Sequence, residues 1–177
     1  PRLLWLIPSY IISLLIGADG MGFFKLFVST LIVGAACSFL VLEKRLRLSM
    51  SEESFANDLI GIAGAVFYAV NPWVIIRIQH IFLLCGYALL PLFLYFLLEV
   101  FFPAQANAQK HPTQYVVLQI ALLGLIFSAS AGAIHYIFYE TAIAVIVGIT
   151  AVWKQHQQLS LRGILWRGLA SLFAIGC

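Results

Sequence analysis

The sequence predicts an all-α fold, a polytopic transmembrane bundle of about six to seven helices, and three observations carry that reading. Hydrophobic residues make up 63% of the chain and charged residues only 10%, against roughly 25% charged in a soluble domain. With a mean hydropathy of +1.01 over 177 residues, one soluble core has no room for the apolar surface, so lipid must act as much of the solvent. The apolar residues also come in long runs of the kind that cross a bilayer, for which about 20 residues suffice. Finally, the lysines and arginines segregate to alternate loops.

The elements follow in chain order. The first span is LLWLIPSYIISLLIG, residues 3–17, with Pro8 as a kink point and the polar break ADGMG after it. The second is 23–42, with Lys25 near its start. The stretch EKRLRLSMSEESFAND then holds the densest charge in the chain. Ser49 with Glu52 fits a capping box, which places the start of the third helix near Met50, ahead of the apolar span 59–76. Asn71-Pro72 interrupts that span: proline removes a backbone donor and disfavours helix in the residue before it, so a break is expected over 68–72. The fourth helix is 81–102, with Pro91 inside. After the polar loop PAQANAQKHPTQ, the region 116–153 would be about 57 Å long as a single helix. Its natural break is SASAGA, 128–133, which gives a fifth helix at 115–129 and a sixth at 135–153. A seventh begins near Gly163.

Orientation follows from charge. Arg2, Lys44, Arg45, Arg47, Lys110, Lys154, Arg162 and Arg167 fall on one side, and only Lys25 and Arg77 on the other. The positive-inside rule puts the first set, with the basic loops 43–58, 103–114 and 154–162, in the cytoplasm. The chain reads as a single transmembrane domain over 1–177. Pro1 in place of an initiator methionine and the apolar run up to Cys177 point to a piece of a longer chain. Cys37, Cys85 and Cys177 sit in apolar runs without metal-ligand spacing and read as packing residues. No basic run with interleaved aromatics suggests nucleic acid, and no G-x-S-x-G, H-E-x-x-H or P-loop occurs. Trp5, Trp73 and Trp153 lie near predicted helix ends, as an interfacial belt would place them.

Polar residues on or near the outer side are Asp19, Lys25, Asn71, Arg77, Gln79, His80, His135, Tyr136, Tyr139 and Glu140. Several adjoin a predicted break, and broken helix at membrane depth survives only where protein or a wet cavity satisfies it. Arg77 is the sharpest candidate. Its five-donor fork suits a lipid phosphate, and the plainer reading is an arginine snorkelling to headgroups. His80 is a candidate second phosphate donor or proton carrier, and His135 a candidate lipid-phosphate binder. His80 shares a face with Arg77 only if the helix continues. Glu140, roughly one turn into its helix with Tyr136 at i−4, reads as a general base, a metal ligand, a partner of Arg77 or an inter-helix hydrogen-bonding group. Asp19 reads as a ligand for a divalent cation alongside other carboxylates, or as a turn former. Glu99 reaches the interface at the inner end of the fourth helix. GIAGA and SASAGA offer small residues for close helix packing.

Residues 67–95, FYAVNPWVIIRIQHIFLLCGYALLPLFLY, resemble a stretch of GT-C type membrane glycosyltransferases of the cell envelope, including arabinofuranosyltransferase-like and YfhO-like members. The shared pattern is an aromatic pair (Phe67-Tyr68), Asn71-Pro72, Arg77, His80, and Gly86 through Leu92. SASAGAIHYIFYE at 128–140 resembles the break before a later helix of that group. The resemblance implies transfer of a sugar from a polyprenyl-phosphate donor on the non-cytoplasmic side. It implies Arg77, His80 and His135 at the lipid phosphate, and a catalytic acid for which Asp19 and Glu140 are the candidates. That group usually carries its acid in a large external loop, whereas Asp19 sits in a short one. The other expectation is a non-enzymatic transmembrane subunit with partner membrane subunits. A transporter is third, for want of a matching pair of interrupted helices.

Overall fold

The computed structural model describes residues 2–17, 19–48, 54–78, 80–103, 112–130 and 134–155. They form seven helical segments and, among the described residues, no strand: α1 (Arg2–Leu15), α2 (Gly20–Leu48), α3 (Phe55–Val70), α4 (Pro72–Ile76), α5 (Ile81–Phe101), α6 (Pro112–Ser130) and α7 (Ile134–Gln155). Among the described residues four stretches are long and apolar enough to cross a membrane: α2, α3 together with α4, α5, and α7. The chain is therefore an all-α helical bundle of the membrane type. At 14 residues, α1 covers only about 21 Å.

The local chemistry explains the boundaries. Asp19 begins α2, its Oδ1 accepting the Gly22 N–H at 2.7 Å, which satisfies one of the orphan donors of the first turn. α2 runs past residue 42, where apolarity alone would stop it, to Leu48. Its last two turns are good helix formers, Glu43 pairs with Arg47 at 3.1 Å, and cations complement the C-terminal end of the helix dipole. The expected start of α3 near Met50 is corrected. The helix begins at Phe55 after Ser54, which makes no side-chain cap, and the Ser49/Glu52 pair lies outside the described residues. Asp58 in the first turn of α3 instead meets Arg47 at 2.6 Å. The seventh helix expected near Gly163 also lies outside the described residues.

α5 is the spine, packing against α2, α6 and α7. Phe93, Leu97 and Val100 are fully enclosed with Leu123 of α6 and Ala151 of α7. Toward the other end Leu84, Cys85 and Ala88 pack with Phe27, Leu31 and Ala35 of α2 and with Ala69 and Val74. Cys85 is a small core residue, as its apolar setting implied. The GIAGA stretch faces α2: a Cβ at Gly61 would lie 2.8 Å from Glu43 Oε2, and one at Gly64 would lie 3.1 Å from the Phe39 ring. Small residues here let two helices approach closely. Large apolar side chains elsewhere point outward, Leu15 at 80% and Phe55 at 77% exposure, as lipid-facing residues do.

Ser38 donates to the Ala88 carbonyl at 2.7 Å, and seven residues further along α2, Arg45 meets Glu99 of α5. α2 and α5 therefore run parallel, and the two ends of the bundle differ. One pole carries the basic end of α2, the other the α3–α4 break and the facing ends of α6 and α7.

Candidate functional site

The break between α3 and α4 falls where the sequence placed it, and it is closed by a reciprocal clasp. Pro72 has no N–H for the carbonyl four residues back, Tyr68, and Pro91 none for Tyr87. Both freed carbonyls are taken up across the α3–α5 contact. The Tyr87 hydroxyl donates to the Tyr68 carbonyl at 2.8 Å, and the Tyr68 hydroxyl donates to the Tyr87 carbonyl at 2.8 Å. The rings stack with centroids 4.3 Å apart, continued by Phe39 on one side and Trp73 on the other. Asn71 completes the clasp. Its Nδ2 donates to the Tyr68 carbonyl and the Tyr87 hydroxyl, each at 2.8 Å, while its Oδ1 caps α4 by accepting from Trp73 and Val74 N–H.

This clasp sets a sharp test. Tyr68→Phe removes the donor to the Tyr87 carbonyl and is expected to destabilise the bundle by about 1–3 kcal/mol, the cost of an unsatisfied buried acceptor. In a Pro91→Ala background residue 91 regains an N–H that can reclaim that carbonyl, and Tyr68→Phe should cost little. Unfolding titrations of the four proteins in detergent form the cycle; equal costs in both backgrounds would dismiss the clasp.

The clasp positions the polar residues of its pole. Arg77 ends α4, its N–H bonded to the Trp73 and Val74 carbonyls, and its side chain is exposed with no hydrogen-bond or ion-pair partner among the described residues. The His80 N–H bonds to the Arg77 carbonyl at 2.8 Å, and His80 precedes α5 with an exposed side chain. The helix does not continue from α4 into α5, so the two do not share a face by helical spacing; a tight turn holds them together instead. His135 is exposed in the first turn of α7. Asp19 is exposed at 19 with its Oδ1 engaged as a cap. Gln79 lies outside the described residues.

Glu140 is the exception, with no exposed surface. Its Oε2 lies 2.7 Å from Ser130 Oγ, and its Oε1 has no hydrogen-bond partner among the described residues. Arg77, exposed and unpartnered, makes no ion pair with it. Tyr136, one turn earlier, is buried against α5, where Gly86 leaves room: a Cβ there would overlap the Tyr136 ring. Among the described residues no cluster of three or more His, Cys, Asp or Glu side chains is arranged to hold a metal.

The opposite pole holds what the sequence reading passed over. Glu99, 1% exposed, does not reach the interface. It pairs with Arg45 Nε and accepts the Tyr115 hydroxyl at 2.5 Å, while Arg45 also donates to the Phe102 carbonyl at 2.5 Å. Nearby, a crevice of about 290 Å³ between α2 and α3 is walled by Phe39, Leu42 and Ile60. Its charged groups, Glu43 and Arg47, already bond to each other.

The clasp had a signal in the sequence. YAVNP at 68–72 and YALLP at 87–91 repeat the pattern Y-A-x-x-P, which puts a tyrosine carbonyl opposite each missing proline N–H. No family model matches the chain, and neither the curated proteins nor the solved structures contain a match to it.

Proposed function

We propose that this chain is a membrane-embedded, GT-C-like module that works on a polyprenyl-phosphate-linked sugar on the non-cytoplasmic side. The observation that carries the reading is Arg77: a guanidinium exposed, unpartnered among the described residues, and held at a braced helix break. It adjoins the exposed Ile75 and Ile76, the setting in which a cation meets lipid headgroups. The motif over 67–95 supports the same class. By the positive-inside rule the Arg45 pole faces the cytoplasm and Arg77 lies opposite. In the proposed reaction an external carboxylate removes the acceptor hydroxyl proton, and Arg77, with His80 beside it, stabilises the departing lipid phosphate.

A second reading is a non-enzymatic subunit of a membrane assembly. It is favoured by the state of the two carboxylates: Asp19 is engaged as a helix cap and Glu140 is sealed, so a base must come from outside the described residues or from a partner.

Mass spectrometry of co-purifying lipids separates the two. A polyprenyl phosphate carried by the parent chain and lost in Arg77→Gln, with bulk phospholipid unchanged, is the expected result. Equal bulk phospholipid in both proteins and no polyprenyl phosphate would remove the clamp and leave the subunit reading ahead.

A further inference from the structure

The α6–α7 pair contains a group that the lipid-phosphate reading does not use. Glu140 is the seventh residue of α7, about 9 Å along the helix from its start, and it has no exposed surface. Ser130, the last residue of α6, is equally enclosed. Ser130 Oγ lies 2.7 Å from Glu140 Oε2 and 2.9 Å from the Phe127 carbonyl oxygen. A serine hydroxyl has one proton, and it cannot serve both acceptors. Glu140 Oε1 has no partner among the described residues. One carboxyl oxygen, a hydroxyl and a carbonyl thus converge around a single available proton, and the second carboxyl oxygen is left without a donor.

The surroundings add negative potential. The C-terminal end of α6 carries the negative end of its helix dipole. The titratable neighbour on its own helix is the phenol of Tyr136, which itself adjoins Tyr139 on α7 and Tyr87 on α5. Among the described residues no Lys, Arg or His pairs with Glu140. Burying a carboxylate beside a negative helix end without a compensating cation is prohibitively costly. Glu99 shows the contrast, since its burial is matched by Arg45.

We propose that Glu140, with Ser130 Oγ and the carbonyl end of α6, is a binding site for one monovalent cation, a proton or Na⁺. Carboxylate, hydroxyl and helix-end carbonyls at membrane depth are the oxygen set such ions take. A divalent ion would need more carboxylate than this spot holds. The site is independent of Arg77 and stands whether or not the chain binds a lipid phosphate.

Labelling with dicyclohexylcarbodiimide, an apolar reagent that modifies protonated carboxyl groups in membranes, tests it. The full chain in lipid nanodiscs would be treated across a pH series in choline chloride or sodium chloride, and modification located by peptide mass spectrometry. If the resident is a proton, Glu140 labels in both salts, and labelling falls about tenfold per pH unit above its midpoint. If it is Na⁺, sodium chloride suppresses the labelling that choline chloride permits. Glu99, held by Arg45, should stay unlabelled throughout. In parallel, Glu140→Gln supplies its own N–H donor and should retain the fold while losing any shift of melting temperature with sodium or pH that the parent shows. Absence of Glu140 labelling in every condition would overturn the proposal. So would a Glu140→Gln protein whose melting temperature follows sodium and pH as the parent's does.

Discussion

Arg45→Met is expected to cost roughly 3–5 kcal/mol, the penalty for leaving a buried charge without its partner. Glu99 would remain with a side chain 2% exposed and only the Tyr115 hydroxyl to neutral-bond it. Glu99→Leu should cost less. Arg45 is 17% exposed, keeps its bond to the Phe102 carbonyl, and has a long stem that can carry its charge toward water. The double variant Arg45→Met, Glu99→Leu should lie close to the parent, because a buried ion pair barely exceeds a well-packed apolar pair in net stability. Unfolding by denaturing detergent from mixed micelles, fitted for all four proteins, gives the cycle. Additive losses would mean that the two residues act independently and would discard the pair as the tie between the ends of α2 and α5.

Gly86→Leu is the second large effect, with an expected loss of about 3 kcal/mol. Overpacking a filled contact typically costs about 1–3 kcal/mol, and here even the first added carbon overlaps a ring. Helix propensity works the other way, since replacing an interior glycine gains up to about 1 kcal/mol. The steric term wins because Tyr136, 4% exposed, is enclosed and its ring, close to α5, has little room to retreat. The smaller Gly86→Ala should lose stability in the parent and gain it in a Tyr136→Ala background, where the ring is gone and only propensity remains. The sign change, read from the same titrations, is the decisive observation; a gain in both backgrounds would show that α7 yields easily and that Gly86 does not set its distance from α5.

Much of the architecture was legible because the bilayer imposes a length and a polarity that read directly as runs of residues. The breaks at Asn71-Pro72 and after Ser130 could be placed from proline chemistry and from a run too long for one crossing. Helix ends were less legible. α2 outran its apolar span because Glu43 and Arg47 support each other along the helix, and hydropathy does not register that. The start of α3 shifted to Phe55 because Asp58 found Arg47 on another helix.

The polar residues divide along the same line. That Arg77 and His80 sit beside a break follows from order in the chain, and so does the polarity of the two poles, because both depend on neighbours in sequence. That Arg77 is exposed and unpartnered among the described residues while Glu140 is sealed does not follow from order. Nor does the pairing of Glu99 with Arg45, 54 positions away, or the exchange of hydroxyls between Tyr68 and Tyr87. Each depends on which faces of separate helices meet, and apolar helices of similar composition can pack on many faces. By itself the sequence determined a membrane bundle, its breaks and its charged pole, since lipid acts on composition and run length. Only the tertiary structure decided which buried carboxylate has a cation, because that depends on distances across helix contacts that no run of residues encodes.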